Sequence, residues 1–295
     1  MMNKFLKFQL SWLLVVLLIA TINSACSKIG NSGKSQIEIS SETYAEKITV
    51  LIRRSTVIPP IKMIPVGSGV IIARKKKGDN YLYYILTADH SVFHNNNYQV
   101  VTHDKKEHLG QYDPEDLKSN SKCLDLAVLK FTSNQNYPLA KLDYFDELSK
   151  DTPINVIGWA NGKTLQSIDG TMINPKFRSS PEENQVCERL AFDNSQGGPE
   201  PMPGMSGGAI LNEKSDLVGI YVARNLFGHN LGISIQDFRE NASKDLLQTI
   251  QKSRFIETQP KNKDIENTRF FNWTALIASL ATIATLFVTI YSLRK

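Results

Sequence analysis

The sequence has few cysteines and only a small excess of charge of one sign. Three of its 295 residues are cysteines, at positions 26, 123 and 187, which is too few for a disulfide-rich scaffold. Cys123 and Cys187 could pair, but the sequence does not show the geometry that a bridge needs, and we expect both thiols to be free. The 34 basic and 29 acidic residues give a formal net charge of +5. Such a mild excess does not by itself indicate a polyanionic partner.

The densest basic run also argues against nucleic-acid binding. It reads ARKKKG at positions 73–78 and lies between two apolar, strand-like segments. No aromatic residues alternate with these lysines, as a surface that stacks nucleic-acid bases would require. We therefore interpret the run as a solvated hairpin turn and expect no nucleic-acid partner.

The central part of the chain, residues 42–250, has the pattern of an all-β domain. Hydrophobic residues make up 41% of the sequence and charged residues 21%, so a packed core can form. Short apolar runs rich in Val, Ile, Tyr and Thr alternate with Gly, Pro, Asn and Asp, which predicts an antiparallel sandwich or barrel. Helices are predicted only at 42–48, at 144–150 and within 234–253.

The N-terminus has the layout of a secretory signal, which we assign to residues 1–26. Two lysines precede an apolar run from Leu10 to Ile22, and small polar residues follow. The run is short for a transmembrane helix, which needs about 20 apolar residues. Cleavage near Ala25, lipidation at Cys26 and an uncleaved signal anchor all remain open.

The C-terminus predicts a transmembrane helix over residues 273–293. Thr274 to Leu293 contains no charged residue, and aromatic residues lie near both ends of the segment. Residues 27–41 are predicted to be a linker, and residues 251–272 a polar stalk before the anchor. A signal in front and an anchor behind place the domain between them outside the cytoplasm, in the cell envelope.

Three residues in the central part are of the chemical types that amide hydrolysis needs, and each lies next to a predicted strand. YYILTADHSVF places His90 just after an apolar strand, CLDLAVLKF places Asp125 at the start of another, and PGMSGGAIL places Ser206 in a glycine turn before a third. A nucleophile, a base and a residue that orients the base are the parts of a catalytic triad. Each residue alone has an ordinary structural explanation, but together they favour a catalytic site.

These motifs resemble the trypsin-like, chymotrypsin-fold serine proteases, and most closely the HtrA/Deg-like branch. Further segments of the sequence resemble the family in the same order along residues 42 to 245. The similar segments are GSGVII at 67–72, TADH at 87–90, DLAVL at 125–129, VIGWANG at 156–162, GMSGGA at 204–209, LVGIYVA at 217–223 and LGISI at 231–235. HtrA-like proteins usually continue into a PDZ domain, but the stalk before the predicted anchor is too short for one. The resemblance implies a fold of two six-stranded antiparallel β-barrels followed by a C-terminal helix.

The resemblance also implies a role for each residue of the triad. Ser206 would attack the scissile carbonyl, His90 would act as general base and then as general acid, and Asp125 would orient the imidazole. The backbone N–H groups of Gly204 and Ser206 would form the oxyanion hole. Met205 replaces the Asp or Asn that usually precedes the nucleophile, which raises the question of what holds the oxyanion loop.

The substrate pocket implied by the resemblance contains Glu200, Val222 and Arg224. Glu200 lies near the floor of the family's pocket, and Arg224 lies near its mouth. Arg224 would either narrow the pocket or pair with Glu200. No substrate preference follows from these residues.

The expected function is that of a membrane-anchored, extracytoplasmic serine endopeptidase. It would hydrolyse polypeptides through an acyl-enzyme intermediate and would need no metal or organic cofactor. The alternative is a catalytically inactive protein of the same fold that binds or scaffolds partners at the membrane. The resemblance implies that oligomers can form, but the sequence does not specify their size.

Overall fold

The computed structural model describes residues 41–258, with gaps at 57–58, 93–96, 119–122, 144–147, 183–184 and 196–197. In chain order the described elements are α1 Ser41–Ile48, β1 Thr49–Ser55, β2 Met63–Lys77, β3 Asn80–Thr87, β4 Tyr98–Val101, β5 Glu107–Tyr112, β6 Ala127–Ser133, β7 Pro153–Ala160, β8 Thr164–Glu182, β9 Gln185–Asn194, β10 Ala209–Asn212, β11 Leu217–Arg224, β12 Asn230–Ser234, α2 Ile235–Asn241 and α3 Lys244–Thr258. Short 3₁₀ turns occupy Asp89–Ser91 and Pro114–Asp116.

The twelve strands form two closed antiparallel barrels of six strands each. The first barrel has the order β1-β2-β3-β6-β5-β4, and the second has the order β10-β11-β12-β9-β8-β7. Both barrels belong to one compact unit, which begins at Ala45. Closure gives every strand two neighbours, so that neither barrel contains an edge strand. The predicted all-β fold of two six-stranded barrels is confirmed.

The alternation of apolar residues explains the core of the first barrel. Side chains two positions apart point to the same face of a strand, and Tyr83 and Ile85 on β3 both lie in the interior with Leu129 and Phe131 on β6. The rings of Tyr83 and Phe131 stack with centroids 5.0 Å apart. Burying such a side chain stabilises the fold by about 1.5–3 kcal/mol.

The second barrel has its own core and meets the first through outward-facing residues. Phe192 on β9 and Ile210 on β10 are fully buried inside it. Leu51 on β1 and Val101 on β4 point out of the first barrel and pack against Trp159 on β7. The alternation that fills each barrel thus also supplies the surface that joins the two.

The C-terminal segment forms two helices where the sequence predicted a single helical stretch. The chain is extended at Ala242 between α2 and α3, and the Ser243 hydroxyl accepts a hydrogen bond from the N–H of Leu246 (3.2 Å) as an N-terminal cap. Helix α3 packs on β2 of the first barrel, where the Ser253 hydroxyl accepts from the N–H of Arg74 (3.0 Å). It ends at Thr258, past the predicted domain boundary at 250.

The expectation that Cys123 and Cys187 are free thiols is wrong. The two residues form a disulfide, and their Cα atoms lie 5.2 Å apart. They are 64 positions apart in sequence, and only the docking of β9 beside the segment that precedes β6 brings them within bridging distance. The bridge therefore links the second barrel to the first.

Several sequence-based predictions fall outside the described residues. They are the signal at 1–26, the linker at 27–41 apart from its last residue, the stalk beyond 258 and the transmembrane helix at 273–293. Of the helix predicted at 144–150, only 148–150 are described, and these are not helical. The described helices include none with the length and apolarity that a bilayer crossing requires.

Candidate active site

The register of two neighbouring strands brings His90 and Asp125 together. Thr87, at the end of β3, pairs with Ala127, at the start of β6. His90 follows the first strand in the 3₁₀ turn, and Asp125 precedes the second, so both residues emerge at the same edge of the first barrel. The N–H of His90 donates to Asp125 Oδ1 (2.9 Å), and His90 Nδ1 lies 2.8 Å from Asp125 Oδ2. One carboxylate oxygen therefore bonds to the backbone of His90, and the other bonds to its imidazole.

This pair sets the tautomer and the electrostatics of the histidine. Because a carboxylate only accepts hydrogen bonds, Nδ1 must carry a proton, which leaves the Nε2 lone pair free in the neutral ring. The hydrogen bond to Asp125 raises the pKa of His90 above its ordinary value, against the effect of burial. Burial alone would raise the pKa of Asp125, but the hydrogen bonds and charge of His90 hold it below the usual range.

Ser206 lies in the turn that leads into β10 of the second barrel. Its hydroxyl donates to the carbonyl oxygen of Val222 (3.1 Å) on β11. Within the described part of the chain, no hydrogen bond joins this hydroxyl to His90. Attack on a carbonyl therefore requires the Ser206 side chain to turn from Val222 towards the imidazole, and catalytic hydrogen bonds are often long or unformed before substrate binds.

The backbone around Ser206 has the features of an oxyanion hole. Gly204 and Gly207 have φ of +93° and +86°, a conformation that side chains with a Cβ rarely adopt. Among the described residues, the N–H groups of Gly204 and Ser206 donate to no protein acceptor, whereas the N–H of Gly207 donates to Tyr221 (2.8 Å). Two backbone donors beside the nucleophile are thus available to a developing negative charge.

Met205 anchors the turn through apolar packing. Its side chain is fully buried in the core of the second barrel. Its N–H donates to the carbonyl of Met202 (3.1 Å), and the N–H of Met202 approaches Met205 Sδ at 3.4 Å. The residue that departs from the family pattern therefore fixes this turn by burial instead of by a charge.

Ser68, on β2 of the first barrel, holds the same turn from the other side. Its hydroxyl accepts from the N–H of Trp159 (2.7 Å) and donates to the carbonyl of Gly204 (2.8 Å). Its own N–H donates to the carbonyl of Ser206 (2.7 Å). The sequence marked GSGVII only as a barrel hairpin. The sequence signal that could have revealed more is a serine within the otherwise apolar segment VGSGVII, and the structure shows this serine to be completely buried.

The comparison with known families agrees with this geometry. The family model of the trypsin-like peptidase domain matches residues 67–220, just over half of the chain. The chain belongs to the trypsin-like peptidase family. The match begins at GSGVII, beside Ser68, and ends within β11. No curated protein matches the chain.

Two features of this trypsin-like peptidase domain surround Asp125 and were not found from the sequence. The disulfide begins at Cys123, two residues before Asp125, and ends at Cys187 on β9. Arg189, two residues further along β9, is 8% exposed. Its positive charge contributes to lowering the pKa of Asp125. The second barrel thus supplies both a covalent brace and a nearby cation for the carboxylate of the first.

Two of the three expected pocket residues, Glu200 and Arg224, line one polar cavity, and Val222 does not. Arg224 forms an ion pair with Glu200, and its Nε donates to the carbonyl of Gly228 (2.9 Å). A cavity of about 390 Å³ is lined by Glu200 and Arg224 together with Asp193, His229 and Asn230. Of the two expectations for Arg224, pairing with Glu200 is the one observed. Val222 contributes the carbonyl that accepts from Ser206.

No group of three or more His, Cys, Asp or Glu side chains within the described ranges is arranged to hold a metal ion.

Proposed function

We propose that the chain is a serine endopeptidase that is anchored in a membrane and acts outside the cytoplasm on polypeptide substrates. The observation that carries the proposal is the doubly hydrogen-bonded pair of His90 and Asp125, at 2.8 and 2.9 Å. This pair occurs in a trypsin-like peptidase domain whose Ser206 turn offers two backbone donors. The resemblance to the HtrA/Deg-like branch is part of the same proposal.

In the first half of the reaction, Ser206 forms an acyl-enzyme. Its hydroxyl leaves the carbonyl of Val222 and gives its proton to His90 Nε2 as Oγ attacks the scissile carbonyl carbon. Asp125 stabilises the imidazolium, and the N–H groups of Gly204 and Ser206 stabilise the oxyanion. His90 then donates its proton to the leaving amine, and the C–N bond breaks.

In the second half, water takes the place of the amine. His90 removes a proton from the water, the hydroxide attacks the acyl carbon, and the proton returns to Ser206 Oγ as the acid product leaves. No metal or organic cofactor has a role in these steps. The raised pKa of His90 means that the neutral, active base is lost at a higher pH than for an ordinary histidine.

Two observations support the location and the anchor. The bridge between Cys123 and Cys187 is of a kind that persists in oxidising compartments outside the cytoplasm, which agrees with the signal pattern at 1–26. The uncharged segment from Thr274 to Leu293 has the length of a bilayer span. Labelling with a reagent that does not cross the cytoplasmic membrane tests the location, and retention of the protein in washed membranes tests the anchor.

The activity is tested with the full chain in detergent. Wild type should react with a fluorophosphonate probe and cleave casein. Ser206→Ala and His90→Ala should each lower kcat by roughly 10⁶-fold, since the members of a triad act as a unit. Circular dichroism of the variants controls for folding.

A second candidate is an inactive protein of the same fold that binds partners at the membrane. The hydrogen bond from Ser206 to Val222, instead of to His90, favours it. Folded wild-type protein that neither reacts with the probe nor cleaves casein would support this candidate over the peptidase.

A further inference from the structure

Lysines from two elements meet around a cavity on the outside of the first barrel. The cavity, of about 620 Å³, lies between β2 and helix α3. Lys75 and Lys76 line it from β2, and Lys244 and Lys252 line it from α3. Lys77 continues the row at the end of β2. All of these lysines are exposed, and we call the set the basic face.

The chain itself does not neutralise the basic face. Within the described part of the chain, its ammonium groups form no ion pair, because the nearby carboxylates of Asp113 and Asp116 pair instead with Lys130 (2.7 and 2.8 Å). Glu115 and Asp245 also line the cavity, but the lysines of the basic face outnumber them. A net positive charge therefore remains available to an anion from outside.

The polypeptide leaves the described domain beside the basic face. The Ser253 hydroxyl donates to the carbonyl of Arg74 (2.6 Å) and accepts from its N–H (3.0 Å), which holds α3 against β2. Helix α3 ends at Thr258, roughly 9 Å past Lys252. Residues 259–272 separate it from the predicted transmembrane helix and span at most roughly 50 Å when fully extended. The proposed anchor thus keeps this side of the domain near a bilayer.

The basic face lies at the opposite end of the first barrel from the catalytic pair. Ser68, which bonds to the nucleophile turn, is on the same strand as Lys76, and roughly 25 Å of strand separates them. Strand β3 likewise runs from Asn80, at the hairpin beside the lysines, to Thr87, just before His90. A bilayer against the basic face would therefore leave the active site facing away from the lipid.

The aromatic rings beside the basic face favour lipid over nucleic acid as its partner. The guanidinium of Arg74 lies 5.0 Å from the ring centroid of Tyr81, and the ammonium of Lys130 lies 5.1 Å from that of Tyr84. Cations of the chain thus already cover one side of each ring, where a base would otherwise stack. Lipid phosphates need only accessible positive charges.

We propose that the basic face binds the anionic headgroups of the membrane in which the chain is anchored. This contact holds the peptidase domain with its active site pointing away from the bilayer. The inference rests on the proposed anchor and does not require peptidase activity. Because the anchor keeps the domain at a high local concentration beside the lipid, weak contacts from each lysine are sufficient.

The test measures how fast a water-soluble reagent acetylates individual lysines of the full chain in nanodiscs. One set of discs contains phosphatidylglycerol mixed with phosphatidylcholine, and the other contains phosphatidylcholine alone. The rates at Lys75, Lys76 and Lys252 should be about fivefold lower in the anionic discs. At about 1 M salt, where charges are screened beyond roughly 3 Å, this protection should disappear. The rate at Lys163, an exposed lysine between β7 and β8, should be equal in both discs.

Two charge-reversal variants provide the matched comparison. Lys76→Glu/Lys252→Glu reverses one charge on each element of the basic face. Lys163→Glu/Lys176→Glu makes the same change in net charge on the second barrel, where both lysines are exposed. The first variant should lose the protection of Lys75 in anionic discs, and the second should keep it. Circular dichroism controls for folding.

Equal acetylation rates at the basic face in anionic and neutral discs overturn the inference. So does equal protection of Lys163, which would show that the whole domain approaches the lipid without a preferred face. Protection by inorganic phosphate in neutral discs overturns it in favour of a soluble anion, and protection only by added DNA or by an acidic peptide overturns it in favour of that partner.

Failure of the anchor is distinguishable from failure of the basic face. A full chain that does not remain with neutral discs contradicts the anchor, and sedimentation with phosphatidylglycerol vesicles then measures the basic face directly. Wild type and Lys163→Glu/Lys176→Glu should bind these vesicles about tenfold more tightly than Lys76→Glu/Lys252→Glu. Equal binding of all three proteins overturns the inference. Failure of wild type to react with the fluorophosphonate contradicts only the peptidase proposal.

Discussion

At the scale of the residue, the nucleophile turn is fixed by side chains from both barrels. Met205 fills the core of the second barrel, while Ser68 of the first barrel bonds to the carbonyl of Gly204 and, through its N–H, to that of Ser206. The carbonyl of Gly204 and the N–H of Met205 belong to one peptide group, so holding that carbonyl also fixes the orientation of the adjoining backbone. The oxyanion donors on either side of this peptide depend on it.

We therefore expect Ser68→Ala to affect the transition state more than substrate binding. Loss of the hydroxyl leaves the N–H of Trp159 and the carbonyl of Gly204 unpaired. Each unpaired buried group costs about 1–3 kcal/mol of folding free energy. We expect kcat to fall about 10- to 100-fold with little change in KM, measured on a short ester, because displaced oxyanion donors weaken the transition state.

Thr49→Val is the matched control for Ser68→Ala. Thr49 is completely buried, and its hydroxyl donates to the carbonyl of Ala45 (2.8 Å), on β1 and away from the nucleophile turn. The control should lose thermal stability but keep kcat. Equal effects of both variants on kcat would contradict a positioning role for Ser68.

At the scale of the element, β9 supports the catalytic carboxylate. It carries Cys187, which is bonded to Cys123 just before Asp125, and it carries the buried Arg189. The covalent bond and the electrostatic effect of Arg189 on Asp125 both act from the second barrel on the first. The orientation of Asp125 therefore depends on how the two barrels dock.

We expect Cys123→Ser/Cys187→Ser to be less stable than wild type. The bridge spans a sequence separation of 64 residues. For a loop of this length, restriction of the unfolded chain stabilises the fold by about 3–5 kcal/mol. The melting temperature should fall, and kcat should fall with it because the segment before Asp125 loses its brace.

A reductant supplies the control for this prediction. It should lower the melting temperature and the activity of wild type to those of the double variant, and it should leave the double variant unchanged. A wild-type enzyme whose stability is insensitive to complete reduction would contradict the prediction.

At the scale of the whole molecule, two partly buried histidines of the first barrel link stability to pH. Burial lowers the pKa of both His103 and His108 from the ordinary value of 6.5. His108 Nε2 lies 3.1 Å from the hydroxyl of Tyr137, which also bonds to Asp104. The folded state therefore resists protonation at these two sites more than the unfolded chain does.

The sign of the effect follows from proton linkage. Below about pH 6.5 the unfolded chain binds more protons at these sites than the folded state, so stability falls as the pH decreases. The melting temperature should thus decrease between pH 7.5 and 5.5, by about 2–4 °C for each 1 kcal/mol lost. His103→Gln/His108→Gln should reduce this decrease.

His90 provides the opposite control, because its pKa is raised in the folded state. Protonation of His90 favours the folded state as the pH falls, so His90→Ala should make the decrease in melting temperature steeper. Identical pH dependence in wild type and in the variant of His103 and His108 would contradict the assignment.

The sequence by itself determined the strands, because apolar side chains at every second residue, such as Tyr83 and Ile85, are visible within a few neighbouring residues. It also marked His90, Asp125 and Ser206, since each follows or precedes a strand within a short, recognisable segment. The disulfide of Cys123 and Cys187, the bridging hydroxyl of Ser68 and the pairing of Arg224 with Glu200 depend on residues far apart in the chain. Only the docking of the barrels and their loops brings these groups within bonding distance, so only the tertiary structure decided them.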